Sequence, residues 1–146
     1  MKALIFALSL FVLIGCKKDD NSNSNSGNFD NLPADIIKDF WKISYYADDG
    51  VDETSRFTSY TFDFRQDGTV DASNDLLTET GTWIYEDSSN DSTDDEELIL
   101  LFTSSNNALE EISDDWHITS ASATQVVLYD ISGSNGTTDY LTFTKE

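Results

Sequence analysis

The feature that most constrains the fold is a series of short segments in which apolar and polar residues alternate. In one of them, Tyr60, Phe62 and Phe64 alternate with polar residues. A period of two predicts a β-strand with one buried face. Asp67 and Gly68 follow at once, and Asp-Gly between alternating segments is one of the strongest short-range signals for a β-hairpin.

Seven further segments of this kind predict an antiparallel fold. In chain order, the apolar residues or ranges of the eight predicted strands are Trp41, Ile43 and Tyr45; Tyr60, Phe62 and Phe64; Val70 and Ala72; Gly81, Trp83 and Tyr85; 98–102; Trp116 and Ile118; 126–131; Leu141 and Phe143. Their connections are short and rich in Gly, Asn, Asp and Ser, which excludes the long crossovers of a parallel sheet. One helical turn is predicted over residues 108–112. The pattern predicts an all-β, eight-stranded antiparallel up-and-down barrel, with a two-sheet sandwich as the alternative.

A short helix is predicted before the first strand. It would run from Asn31, as N-cap, to Phe40, with Pro33 in its first turn. Ile36, Ile37 and Phe40 would share one side. So short a helix is marginal alone, so we expect it to pack across the sheet or the mouth of the barrel.

The N-terminal segment has the pattern of an export signal. Lys2 precedes an apolar run over residues 3–14, which is shorter than the roughly 20 residues that span a bilayer as a helix. The run ends in Leu-Ile-Gly-Cys, which resembles a bacterial lipobox with Cys16 as the lipidated residue. We therefore expect a signal peptide over residues 1–15 and a covalent lipid on Cys16.

The segment after Cys16 predicts a flexible tether over residues 16–27, followed by a folded domain over 28–146. Residues 17–26 read KKDDNSNSNS and contain no apolar side chain, so they cannot contribute to a core. Basic and then acidic residues directly after the cysteine resemble the export signal of surface lipoproteins in Bacteroidota. We expect an outer-membrane lipoprotein exposed at the cell surface, with the periplasmic face as the alternative.

The charge of the chain restricts its partners. The sequence has 28 acidic residues and a net charge of −20, and all the acidic residues follow Cys16. Nucleic-acid binding is therefore disfavoured, because it needs a positive surface. Direct adsorption to anionic lipid is disfavoured as well. Membrane association is expected through the lipid on Cys16.

Several short motifs together resemble the lipocalin-like lipoproteins of Bacteroidota, within the calycin group. The motifs are Phe40-Trp41-Lys42-Ile43, Tyr60-Thr61-Phe62-Asp63-Phe64, Asp67-Gly68-Thr69, Thr80-Gly81-Thr82-Trp83, Trp116-His117-Ile118 and Leu141-Thr142-Phe143. The resemblance covers almost the entire domain and implies a lipocalin-like barrel.

Aromatic residues at the inward positions are the candidate ligand site. They are Trp41, Tyr60, Phe62, Phe64, Trp83, Tyr85, Phe102, Trp116 and Phe143. A barrel of eight strands either is filled by its side chains or holds one small ligand. We expect a small hydrophobic or aromatic ligand in the barrel or at its mouth. The alternative is a filled barrel in a structural or accessory envelope protein that acts through its exterior.

Catalysis and metal binding have little support in the sequence. His117, the sole histidine, lies between two inward residues, so alternation places it on the outer face. No nucleophile or second base accompanies it in a recognisable pattern, so we expect no enzyme activity and no cofactor. One histidine and one lipidated cysteine cannot form a zinc site of the usual type.

Two acidic segments remain. Residues 87–97 lack the glycine and the ligand spacing of an EF-hand, so we interpret them as a solvated loop. The turn that contains Asp48, Asp49, Asp52 and Glu53 receives the same interpretation.

Overall fold

A computed structural model of the chain describes residues 31–87, 96–132 and 136–146. The strands in this described part are β1 (Trp41–Asp48), β2 (Val51–Asp52), β3 (Thr61–Phe64), β4 (Thr69–Ser73), β5 (Thr78–Glu86), β6 (Glu97–Leu101), β7 (Asp115–Ala121), β8 (Gln125–Ser132) and β9 (Thr137–Lys145). Two short helices, α1 (Leu32–Ile36) and α2 (Asn107–Glu111), and a 3-10 turn (Thr54–Phe57) lie between or before them. The predicted signal peptide, the predicted tether over residues 16–27 and most of the acidic 87–97 segment lie outside the described residues.

The strands form one closed barrel. From β3 to β9 each strand pairs antiparallel with the next, and β9 pairs with β1 along most of its length. β1 meets β3 through one pair, Trp41 with Phe62, and the two-residue β2 pairs only with β1. The predicted eight-stranded up-and-down barrel is therefore confirmed, and the two-sheet sandwich is excluded.

The barrel has two ends, named here after the helices that lie there. Helix α1 and the β3–β4 turn lie at the α1 end, where β1 begins and β9 finishes. Helix α2 and the 3-10 turn lie at the α2 end, where β1 finishes and β7 begins. The β3–β4 turn is the predicted Asp-Gly hairpin: Gly68 has φ 83°, and Asp67 accepts a hydrogen bond from the Thr69 amide at 3.0 Å.

The alternation predicted for β1 is wrong after Ile43. A register shift between Ile43 and Tyr45 turns the next side chains over, as a β-bulge does. Tyr46 is therefore buried, at 2% exposure, whereas Tyr45 lies outside the barrel. Tyr46 packs edge-to-face on Phe57 of the 3-10 turn, with 5.2 Å between ring centroids.

Helix α1 is shorter than predicted. It ends at Ile36, and Asn31 occupies the N-cap position without a side-chain cap. Leu32 and Ile36 are buried, but Phe40 is 56% exposed, so the predicted apolar side that included Phe40 is wrong. The helix does close one end of the barrel, as expected.

Helix α2 agrees with the helical turn predicted over residues 108–112. The side chain of Asn106 caps it by accepting a hydrogen bond from the Ala108 amide at 3.1 Å. Leu109 and Ile112 are fully buried and join the core from the α2 end. Among the described residues, no helix is long and apolar enough to cross a membrane.

Candidate functional site

The structure places the candidate aromatic residues inside the barrel. Eight of the nine are buried, namely Trp41, Tyr60, Phe62, Phe64, Trp83, Phe102, Trp116 and Phe143. Tyr85 is partly buried and packs against the same core. Their inward orientation was predictable from the alternation. Whether any of them contacts a ligand stays a prediction.

These rings pack against one another. Phe143 meets Phe62 and Phe64 edge-to-face, with centroids 5.3 and 5.5 Å apart. Phe64 in turn meets Trp83 at 5.8 Å. Edge-to-face pairs at these distances are favourable contacts between core side chains. The middle of the barrel is thus occupied by its own aromatic side chains, which directs attention to the ends.

All three tryptophans donate their indole N–H to a backbone carbonyl. Trp41 donates to Ile36 at 2.7 Å, and Trp116 donates to Ile112 at 3.0 Å. Both acceptors lie where a closing helix ends, so each bond fixes a helix to the barrel wall. Trp83 donates to the carbonyl of Arg65 at 2.9 Å, which fixes the β3–β4 turn.

A cleft of about 290 Å³ lies at the α1 end. Pro33, Ala34 and Ile37 line it from the α1 segment, Gln66 from the β3–β4 turn, and Trp83 from β5. Most of this lining is hydrocarbon, and the Gln66 amide supplies both a donor and an acceptor. The sequence analysis missed this cleft. Its only local signal was that Pro33, Ala34 and Ile37 recur at helical spacing, with Ile37 on the predicted apolar side of the helix.

Glu96 corrects the interpretation of residues 87–97 as a fully solvated loop. Glu96 is only 9% exposed, and its Oε2 accepts a hydrogen bond from the Tyr85 hydroxyl at 2.6 Å. Its backbone carbonyl also accepts from the Ile118 amide at 2.9 Å. The last acidic residues of the segment therefore belong to the barrel wall, because β6 begins at Glu97.

His117 lies on the outer face of β7, as predicted. Its ring stacks on Tyr129 with centroids 5.1 Å apart, and Nδ1 lies 3.2 Å from a Glu97 carboxylate oxygen. The neighbouring strands hold the imidazole in place, and the residue is only partly exposed. That the chain is not an enzyme stays a prediction.

Acidic side chains crowd the α2 end. Carboxylate oxygens of Asp48, Asp49 and Asp139 lie within 4.8 Å of one another. Oxygen atoms of this kind are what a hard cation such as Ca²⁺ prefers. Two of these groups already accept hydrogen bonds, from the Thr137 hydroxyl to Asp49 at 2.5 Å and from the Asp49 amide to Asp139 at 2.8 Å. Partial desolvation and the neighbouring carboxylates raise the pKa of Asp48.

A second acidic group lies where α2 leads into β7. Partial burial, with Asp115 and Asp130 nearby, raises the pKa of Asp114 to about 6. The pKa of Asp115 is lowered instead, chiefly by its hydrogen bond with the Asp114 side chain. The two carboxyl groups therefore titrate as a pair.

Comparisons with known proteins support the fold. No family model and no curated protein matches the sequence. A solved structure of a DUF4847 family protein from Bacteroides vulgatus is similar to this chain, with a TM-score of 0.52 and 15% sequence identity. The similarity covers 79% of this chain and 97% of the neighbour. At this identity the likeness shows the fold alone, and membership of the lipocalin-like lipoproteins stays a prediction.

Proposed function

We propose that the protein is a lipid-anchored binding protein that holds a small apolar or ring-bearing ligand at the α1 end of its barrel. The lipid on Cys16 would attach it to the outer membrane, with the domain facing the cell surface. The observation that carries this proposal is the cleft beside Trp83.

Two features favour the mouth of the barrel over its middle. The central rings already contact one another, so a ligand there would have to displace buried aromatic side chains. The cleft is preformed, and its volume of about 290 Å³ lies at the small end of ligand sites. It suits a molecule of roughly one substituted ring.

The lining also defines the chemistry of recognition. The indole N–H of Trp83 is already bonded to Arg65, so its ring offers mainly an apolar surface to the cleft. Gln66 would add one or two hydrogen bonds. A neutral molecule with a flat apolar side and one polar group fits best, because the net charge of −20 disfavours anions.

Isothermal titration calorimetry with p-cresol, a neutral molecule of one apolar ring with one hydroxyl group, tests the site. We expect saturable binding by the wild type and at least a tenfold loss of affinity in Ala34→Phe, whose ring would fill the cleft. Ala123→Phe is the matched control, since it adds the same ring to the exposed β7–β8 turn at the same end. Equal affinity in both variants, or no saturable binding by the wild type, would contradict the proposal.

The anchor is tested separately. Cys16→Ala should abolish metabolic labelling with a fatty acid and release the domain from the membrane fraction. Unchanged partitioning into membranes would refute the lipobox assignment and leave the cleft proposal intact.

The filled core also favours a second candidate function. A barrel whose rings pack on one another can serve as a rigid support for an exposed surface. On this alternative the protein is an accessory envelope protein that acts through its exterior. Two results together would favour this alternative: the wild type binds no ligand, and the Ala34→Phe variant supports the function of the envelope as well as the wild type does.

A further inference from the structure

The chain enters the barrel beside the cleft at the α1 end. Asn31, the first residue that the structure describes, accepts a hydrogen bond through its backbone carbonyl from the Ala34 amide at 3.1 Å. Ala34 and its neighbour Pro33 both line the cleft. The segment that precedes Asn31 is therefore joined to the rim of an apolar surface.

One side chain of that segment matches the chemistry of the cleft. Phe29 is the only apolar residue over residues 17–31; the others are charged, amide, hydroxyl or glycine residues. It stands two residues before Asn31, and two residues of extended chain span at most about 7 Å. The ring of Phe29 can therefore reach the cleft without any movement of the barrel.

The spacing along α1 favours the same side of the helix for Phe29. Pro33 and Ile37, which are four residues apart, both line the cleft, and Phe29 precedes Pro33 by the same interval. Residues four apart lie on one side of a helix, and Asn31 keeps helical backbone angles, φ −82° and ψ −14°. Pro33 has no N–H for a helical bond to residue 29, in agreement with the start of α1 at Leu32. We therefore expect Phe29 to approach the cleft from outside the helix.

We propose that Phe29 docks in the cleft of the ligand-free protein and competes there with the ligand. The volume of about 290 Å³ suits roughly one substituted ring, and Phe29 supplies one ring. Docking removes the apolar surfaces of the ring and of the cleft from water, and the exposed part of the Trp83 ring offers an aromatic contact. Because the chain itself holds the ring, its effective concentration at the cleft is on the order of millimolar or above.

The competition rests on the proposed function, whereas the docking of Phe29 does not. A ring that fills the cleft in about two-thirds of the molecules weakens the apparent affinity for a ligand about threefold. Ligand entry must then release Phe29, and with it the chain between the tether and α1. Occupancy of the cleft is in this way coupled to how closely the barrel is held to its own tether.

Calorimetric titration of the full chain with p-cresol measures the competition. We expect Phe29→Ala to bind p-cresol at least threefold more tightly than the wild type, since its cleft has no internal occupant. Phe40→Ala is the matched control. Phe40 is 56% exposed just before β1 at the same end of the barrel, so loss of its ring should leave the affinity unchanged.

Thermal unfolding without ligand tests the docking itself. Phe29→Ala should lower the melting temperature by about 3 °C in the wild-type background. In the Ala34→Phe background the added ring already fills the cleft, so the same substitution should lower it by less than about 1 °C. Such non-additivity is the mark of two side chains that share one site. It should not vary with protein concentration, because the contact is intramolecular.

Three results would overturn the inference. They are an equal, measurable affinity of the wild type and Phe29→Ala for p-cresol, an equal loss of melting temperature in both backgrounds, and a non-additivity that grows with protein concentration. The last result would place Phe29 of a second copy in the cleft.

The two proposals about the cleft fail separately. Non-additivity in thermal unfolding, with no binding of p-cresol by any variant, would support the docking of Phe29 and contradict the proposed function. Binding of p-cresol by the wild type that Ala34→Phe abolishes and Phe29→Ala leaves unchanged would support the proposed function and overturn the docking.

Discussion

At each end of the barrel a tryptophan fixes a short helix to the wall, but the surrounding charges differ. At the α1 end, three lysines each meet a carboxylate, in the pairs Lys38–Asp35, Lys42–Glu146 and Lys145–Asp39. At the α2 end, a single side chain, Arg56, contacts two carboxylates, those of Glu53 and Glu111. The carboxylate oxygens of Asp48, Asp49 and Asp139 there lie within 4.8 Å of one another, and Asp139 accepts a hydrogen bond from the Asp49 amide.

This difference in charge affects ligand binding at the α1 end and stability at the α2 end. At the α1 end each of these three lysines is paired with a carboxylate, and an apolar cleft lies open beside them, which suits a binding site. The α2 end concentrates negative charge around one arginine, so its stability should depend on salt and pH. The same contact, an indole N–H bonded to a backbone carbonyl at the end of a helix, thus fixes a helix in two different electrostatic environments.

The largest expected effect tests whether the two tryptophans are equivalent. Trp41 and Trp116 are 0% and 2% exposed, and Trp41→Ala and Trp116→Ala should each lower the free energy of unfolding by about 3–5 kcal/mol. Trp→Phe at either position keeps most of the bulk but removes the indole donor, and should cost about 1–3 kcal/mol. Urea denaturation measures these values. A Phe variant with wild-type stability would show that its bond does not hold that helix.

A substitution in the wall between the ends should come next. An added Cβ at Gly81 would lie 2.6 Å from the Leu101 carbonyl oxygen and 2.7 Å from a Phe102 ring carbon. Gly81→Ala should therefore cost about 1–3 kcal/mol, because backbone and ring must both move. Thr82→Ala, at the neighbouring exposed position, is the control. Equal free energies of unfolding of the two variants in urea would mean that the Leu101 backbone and the Phe102 ring can move at little cost.

Removing an ion pair should lower the stability by less than these substitutions, and the loss should be larger at the α2 end than at the α1 end. Arg56→Gln removes the positive charge between Glu53 and Glu111 and should cost about 1 kcal/mol, less at 500 mM NaCl. Lys38→Gln at the α1 end removes one exposed pair and should cost no more than about 0.5 kcal/mol. Equal losses in thermal unfolding would remove the distinction between the ends.

The smallest predicted effect is a pH dependence. Because the pKa of Asp114 is raised to about 6 in the folded protein from 3.8, folding favours its protonated form. Its contribution to stability therefore falls as the pH rises from about 4 to 6 and stays low above that. Asp114→Asn should add about 0.5 kcal/mol at pH 7, a value kept small by solvent screening, and nothing near pH 3.5.

The control for this prediction is Asp75→Asn, which changes the net charge equally in the exposed β4–β5 turn. Thermal unfolding from pH 3.5 to 7.5 compares the two. The same pH profile in both variants would assign the effect to net charge and not to the α2 end.

The strands were predictable because the alternation of apolar and polar residues shows which side chains of a strand face the core. That logic fails where the backbone departs from it. The bulge exchanges Tyr45 and Tyr46, and nothing in the residue types announces it. The two-residue β2 and the 3-10 turn were missed because they hold one buried apolar residue, Phe57, too few to set a period.

The candidate site was less predictable than the fold. Sequence alternation identified the inward rings but not whether they leave space between them. The cleft combines α1, the β3–β4 turn and β5, so it arises only when distant segments meet. Gln66 directly precedes the Asp67-Gly68 turn in the sequence, and no pattern there marks it as a site residue.

The closure of the barrel by β9 on β1 has a consequence for the rate of folding. These strands meet across long stretches of chain; the hydroxyls of Ser44 and Thr144, 100 residues apart, lie 2.7 Å from each other. Contacts between such distant residues raise the contact order and slow the search for the native state. Until β9 arrives, one edge of β1 has no partner strand there, and the barrel stays open. A chain that must cross a membrane before it folds would benefit from this delay.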